Sequence, residues 1–152
     1  MLDDLIIQRT TSENPDFQKL VSELDAYLAI RNGEDNDFFV QFNQIYLLKN
    51  VVVVYYNKIA IACGAIKEHQ SDKVEVKRMF VPQAFRRNGI AQLVLKELEN
   101  WAKELGYKKC ILETGEDMKE AVGFYQKSHY KIIPNYGQYQ KVETSICFEK
   151  VI

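Results

Sequence analysis

The sequence predicts a mixed α/β (α+β) fold: a central, mostly antiparallel sheet that acquires a splayed parallel pair of strands late in the chain and is flanked by helices. Three observations lead there. Apolar strand-like runs at 51–56, 59–67 and 73–81 are separated only by turn-forming residues, the pattern of an antiparallel meander. A long helical period then precedes the compact run 108–114, and a strand, a crossover helix and a strand imply a parallel pair. Finally, 152 residues with 47% hydrophobic and 12% aromatic content can bury one full core, so a single domain over 1–152 is expected.

Taken in order, Leu5 to Arg9 reads as a first strand. Asn14-Pro15 then supplies an N-cap and a proline at the first helical position. Phe17, Leu20, Val21, Leu24, Tyr27 and Leu28 recur on one helical face, and Arg31-Asn32-Gly33 suits a C-cap. A shorter second helix is expected near Asp37 to Gln44. Val51 to Tyr56, the Asn57-Lys58 turn and Ile59 to Lys67 form a hairpin; His69-Gln70-Ser71-Asp72 reads as the next turn, before the strand Lys73 to Val81. Ile90, Leu93, Val94, Leu98, Trp101, Ala102 and Leu105 mark an amphipathic helix ended by Gly106, and Lys108 to Thr114 is the strand after it. Met118 to Lys127 is a further helix, and Tyr130 to Ile133 with Thr144 to Glu149 make a closing strand pair.

The most informative segment lies where the meander meets the long helix: Val81-Pro82-Gln83-Ala84-Phe85-Arg86-Arg87-Asn88-Gly89-Ile90-Ala91. A turn entering a helix leaves several backbone N–H groups without intrahelical partners, and the helix dipole adds partial positive charge there. Gly89 allows a phosphate close to the backbone, Arg86 and Arg87 add charge at the rim, and Ala91 keeps the first turn slim. The segment suits a pyrophosphate. Just upstream, Val74 and Val76 are apolar at one parity but Met79 and Val81 at the other, so the alternation slips between Lys77 and Arg78. A β-bulge there would splay the strand from its neighbour and free backbone groups for a ligand lying alongside.

Composition narrows the function classes. A formal net charge of -1 offers no broad basic face for nucleic acid or anionic membrane. Met1-Leu2-Asp3-Asp4 lacks the flank of a signal peptide and no run approaches the roughly 20 apolar residues of a membrane span, so a cytoplasmic protein is expected. Cys63, Cys110 and Cys147 each sit in an apolar run and read as core residues rather than ligands, and no metal site is expected. Neither the three-glycine fingerprint of a dinucleotide fold nor the Gly-Lys-Ser/Thr of a P-loop is present, which disfavours a general nucleotide-binding protein.

The Arg-x-x-Gly-x-Ala spacing of Arg86, Gly89 and Ala91 resembles the acetyl-CoA pyrophosphate loop of the GNAT superfamily of N-acetyltransferases. A second family signature, alanine then a Phe-Tyr pair on a helix, is similar to Ala121-Val122-Gly123-Phe124-Tyr125, and the order of elements also matches. Leu112-Glu113-Thr114-Gly115 and Ile133-Pro134-Asn135-Tyr136-Gly137-Gln138-Tyr139 look like a bacterial subgroup of that family. The resemblance implies a GNAT-type fold and acetyl-CoA as cosubstrate. Its pyrophosphate would lie on residues 86–92, that is Arg86, Arg87, Asn88, Gly89, Ile90, Ala91 and Gln92, and its pantetheine arm against Met79, Phe80 and Val81. The implied reaction moves the acetyl group to a primary amine by direct attack in a ternary complex, with the carbonyl near the N–H of Phe80 or Met79. Tyr125 would face the departing sulfur and Glu75 would be the candidate base; His69 and His129 are poorer candidates. The acceptor, a small molecule or a peptide amine, would enter among the first helices and closing strands, where Asp25, Tyr27, Glu34, Asp35, Asp37, Tyr136 and Tyr139 lie. A homodimer is compatible with the reading. The chain departs from the family at His129, usually glycine, and at Met118, commonly asparagine or glutamine. The alternative class is a non-catalytic acyl-CoA-binding or regulatory module, which would need the loop and bulge but neither Tyr125 nor Glu75.

Overall fold

The computed structural model describes residues 2–36 and 47–152, so the helix expected near Asp37 to Gln44 lies outside the described residues. Seven strands form one sheet: β1 (Ile6–Thr10), β2 (Asn50–Tyr56), β3 (Ile59–Gln70), β4 (Lys73–Phe80), β5 (Lys109–Gly115), β6 (Lys131–Ile133) and β7 (Ser145–Val151), in the order β1-β2-β3-β4-β5-β7-β6. All neighbours are antiparallel except β4 and β5. This is the GNAT-type arrangement expected from the sequence. Three described α-helices flank it: α1 (Pro15–Asn32), α2 (Ile90–Glu104) and α3 (Lys119–Lys127).

Local chemistry explains the boundaries. Asn14 Oδ1 accepts the N–H groups of Asp16 at 2.8 Å and Phe17 at 3.0 Å, with Pro15 at the first helical position; Gly33, at φ +54°, ends α1. Asn57 and Lys58 both take positive φ, as a two-residue hairpin matched to strand twist requires. The next turn is tighter than the sequence suggested. His69 and Gln70 belong to β3, because Gln70 still pairs with Lys73 and only Ser71-Asp72 reverses the chain.

The sheet has two buried faces. On one, Val94, Leu95, Leu98 and Ala102 of α2 meet Val52, Val54, Val74, Val76, Leu112 and Phe148. On the other, Phe17, Leu20 and Val21 of α1 cover Val51, Val53, Cys63 and Ala65. Two covered faces explain why β2 reads as an unbroken apolar run rather than an alternating one. Cys63, Cys110 and Cys147 are buried and unpaired, and burial pushes their thiols up to about 12, 12 and 11, so they are packing residues rather than nucleophiles. Among the described residues, no helix is long and apolar enough to cross a membrane, and no cluster of His, Cys, Asp and Glu could hold a metal ion.

His129 ends α3 at φ +73° and is exposed. A left-handed residue with a Cβ costs about 1–2 kcal/mol, while glycine costs roughly 0.5–1 kcal/mol more backbone entropy on folding. His129→Gly is therefore expected to stabilise the protein by about 0.5–1 kcal/mol, read as a rise in thermal midpoint of about 2–4 °C.

Candidate active site

β4 and β5 pair only at Lys73↔Lys109, Val74↔Cys110 and Glu75↔Ile111; beyond that register they part. The reason lies in β4. Lys77 opposes Ala65 and Phe80 opposes Cys63, so Arg78 and Met79 together face the single residue Gly64. This is the bulge expected from the slip in apolar parity, with Arg78 at φ +58°. Its buried guanidinium is turned under α1, where Nη2 donates to Asp25 Oδ1. A cavity of about 390 Å³ opens between the parted strands, lined by Glu75 to Met79 of β4, Leu112 to Gly115 of β5, the C-terminal half of α1, and Met118, Ala121 and Tyr125 around α3.

One end of β4 leads into the phosphate-type loop. Gly89 stands at φ +75° as the N-cap of α2 and no side chain caps the helix, so the first-turn N–H groups, including those of Ile90, Ala91 and Gln92, have no intrahelical acceptor. A Cβ built on Gly89 would meet nothing within 4 Å. Glycine is needed there for its backbone angle, and the open space before it is room for an anion. Asn88 Nδ2 braces the turn by donating to the carbonyls of Phe85 at 3.1 Å and Arg86 at 3.2 Å. Arg86 is a clamp: its Nε donates to Val81 O at 2.7 Å and its guanidinium lies 5.5 Å from the centre of the Tyr27 ring. Arg87 is the exposed cation, with Glu120 4.0 Å away. Ile90 buries its side chain in the core and can offer an anion only main chain, while Gln92 Oε1 accepts from Ser128 Oγ at 3.0 Å.

The other side of the cavity is polar and enclosed. Glu75, the candidate base, is only 8% exposed. Its Oε2 accepts from the Tyr136 hydroxyl at 2.5 Å, and Lys77 Nζ lies 3.4 Å from Oε1. On β5, Glu113 Oε2 accepts from Ser145 Oγ at 2.6 Å. Burial pushes the Glu113 carboxyl up from its ordinary range and also raises the Tyr136 and Tyr139 phenols, with the Glu75 charge adding to all three. Tyr125 packs against Phe124, Tyr130 and Phe148 with ring centres 5.1, 5.8 and 6.0 Å away. It is a core aromatic that also lines the cavity, and burial raises its phenol above the usual value of 10, so it is neutral near pH 7.

The stretch that builds this cleft also decides the family. The Acetyltransferase (GNAT) family model matches residues 11–130. The chain belongs to the GNAT acetyltransferase family. IAA acetyltransferase of Azospirillum brasilense is 26% identical over 134 residues, 87% of this chain and 88% of that one. Probable N-acetyltransferase 14 of Xenopus tropicalis is 34% identical over 82 residues, 53% of this chain; the chain spans 40% of that relative's length. A GNAT family acetyltransferase from Elizabethkingia anophelis, solved with acetyl-CoA bound, superposes with a TM-score of 0.72 at 21% identity, covering 99% of both chains. The PaiA N-acetyltransferase from Thermoplasma acidophilum, in complex with coenzyme A, gives 0.70 at 16% identity, covering 98% and 99%. At such identities the structural likeness is one of fold.

Within this GNAT chain, β4, the loop and Tyr125 fall inside the matched region, whereas Tyr136, Tyr139 and Ser145 fall beyond it. The structure brings Glu75, Met79, Tyr125 and Tyr139 to one cavity and Tyr136 onto Glu75. It does not bring His129 there: His129 is at the exposed end of α3, and His69 touches the site only through an edge contact with the Tyr136 ring at 5.1 Å. Asp25 and Tyr27 are engaged by Arg78 and Arg86. Lys77, Glu113 and Ser145 escaped the sequence reading as site residues. A carboxylate in the otherwise apolar run of β5 was the available signal for Glu113.

Proposed function

We propose that the protein transfers an acetyl group from acetyl-CoA to a primary amine by direct attack in a ternary complex. One observation carries this: the bulge at Arg78-Met79 lies where β4 parts from β5 over a cavity holding Glu75 and Tyr125, and the same strand runs on through the loop into an uncapped helix N-terminus. The first-turn N–H groups of α2, with Arg87 at the rim, would hold the pyrophosphate, and the freed edge running from Met79 and Phe80 of β4 to Val81 would hold the pantetheine arm. That placement sets the thioester carbonyl beside the N–H groups of the bulge, where developing negative charge is stabilised. The amine enters from the face carrying Tyr136 and Tyr139, gives up one proton to a carboxylate and attacks; the carbon–sulfur bond breaks and the thiolate departs with its electron pair. No covalent enzyme intermediate is needed. We place the reaction in the cytoplasm, on a small-molecule or peptide amine, in a monomer or homodimer.

Tyr125 would meet the thiolate. A phenol raised above 10 transfers its proton uphill to a thiolate of about 8.5, so Tyr125 acts chiefly as a hydrogen-bond donor. Tyr125→Phe is accordingly expected to lower turnover about tenfold while leaving acetyl-CoA affinity within about twofold, checked by thiol release and titration calorimetry. Acetyl-CoA binding with no thiol release for any amine in a broad panel would favour the non-catalytic module.

A further inference from the structure

The cavity holds two carboxylates in unlike surroundings. Glu75 has both oxygens engaged, Oε2 by the Tyr136 hydroxyl and Oε1 by Lys77. Glu113 has one neutral donor, Ser145 Oγ on Oε2, and no described residue donates to its Oε1. Both line the same cavity, from the two strands that part there. Two carboxylates whose environments differ take different roles, and the one with fewer donors among the described residues is the better proton acceptor.

We propose that Glu113 accepts the proton of the attacking amine, while Glu75, pinned by Tyr136 and Lys77, is a fixed anionic anchor for the incoming ammonium group. The inference rests on the acetyl-transfer reading above. R–NH3+ held against Glu75 gives one proton to Glu113 Oε1, leaving a neutral amine and a protonated carboxyl. The nitrogen lone pair forms the bond to the acetyl carbon, and the carbon–sulfur bond breaks onto sulfur. The second nitrogen proton ends on the thiolate to give the free thiol, and Glu113 returns its proton to water. The groups around Glu113 are consistent with this. β4 presents Glu75 and Lys77, Ser145 and Cys147 lie beside it on β7, and Tyr139 comes from the preceding segment. α1 contributes Arg31 to the lining, and its Asp25 is held by Arg78 of β4. Among these, burial and the Glu75 charge raise the Glu113 carboxyl from its ordinary 4.5, whereas Ser145 and Lys77 lower it, with burial the largest influence.

Two measurements test it. In protein labelled with 13C at the glutamate carboxyls, the signal absent from Glu113→Gln should titrate with a midpoint above 4.5; a midpoint at or below 4.5 overturns the proposal. With acetyl-CoA as donor and n-butylamine as probe acceptor, Glu113→Gln should reduce thiol release about a hundredfold near pH 7. That deficit should shrink as pH rises towards the pKa of the amine, because neutral amine then forms without a base. Glu75→Gln should instead raise KM near pH 7, where the amine is an ammonium ion, and leave kcat largely unchanged. A pH-independent loss in Glu113→Gln, or a loss in Glu75→Gln that falls on kcat rather than KM, overturns the assignment. Failure of the wild type to bind acetyl-CoA at all would sink the acetyl-transfer reading itself, an outcome the carboxyl titration keeps distinct because it needs no donor.

Discussion

Gly89→Glu is expected to abolish acetyl-CoA binding, with affinity falling more than a hundredfold, about 3 kcal/mol or more. Two effects combine. The residue stands at φ +75°, where a side chain costs about 1–2 kcal/mol, so the first turn of α2 tends to rotate its N–H groups away from the cradle. The new carboxylate also projects into the open space before the helix, where nothing lies within 4 Å of the Cβ position and where the pyrophosphate would sit. Gly89→Ala separates the two effects, since it keeps the strain and omits the charge. It should cost about 1 kcal/mol of stability and roughly tenfold in affinity, both measured by calorimetry. If Gly89→Glu binds acetyl-CoA as the wild type does, the cradle is elsewhere.

Gly64→Ala should be the most destabilising conservative change in the sheet, at about 1–3 kcal/mol and a thermal midpoint lower by roughly 2–8 °C. A Cβ on Gly64 would lie 2.6 Å from Met79 Sδ, 2.7 Å from Val94 Cγ1 and 2.9 Å from Leu98 Cδ1. Val94 and Leu98 are fully buried on α2, and a β-branched valine has little rotamer freedom with which to retreat. Met79 is the softest neighbour and is one of the two bulge residues facing Gly64. Relief of the clash would therefore move the bulge, and acetyl-CoA affinity should fall together with stability. Met79→Ala clears the nearest atom, so the double variant should be less destabilised than the sum of the singles, a coupling visible in a denaturant double-mutant cycle. Additive effects would mean that the bulge and the β3 glycine are packed independently.

Much of the site was legible because it is written in local chemistry. Asn14-Pro15, Asn57-Lys58, Gly33 and Gly89 each meet a backbone requirement that few residue types satisfy, so residue identity and geometry coincide. The bulge could be read because strand side chains alternate strictly, and a change of parity needs an extra residue. Glu75 was legible as a candidate but not in its setting. Its burial depends on Tyr136, 61 residues away, and no strand periodicity reports what a distant loop will cover. Arg86 is a similar case: its charge is evident from the sequence, its use as a clamp on Val81 and Tyr27 is not.

By itself the sequence determined the order of the described elements, the single parallel pair, the uncapped turn at Gly89 and the slip at Arg78, because each is set by residues within a few positions of one another. Only the tertiary structure decided which carboxylates share the cavity. Glu75, Lys77, Glu113, Tyr136 and Ser145 come from two parted strands, a loop and the start of a third strand, and their meeting depends on where β4 and β5 separate. The physical reason is range: capping and pleating act over one turn or one residue pair, whereas desolvation and charge coupling depend on everything that folding brings within a few ångströms.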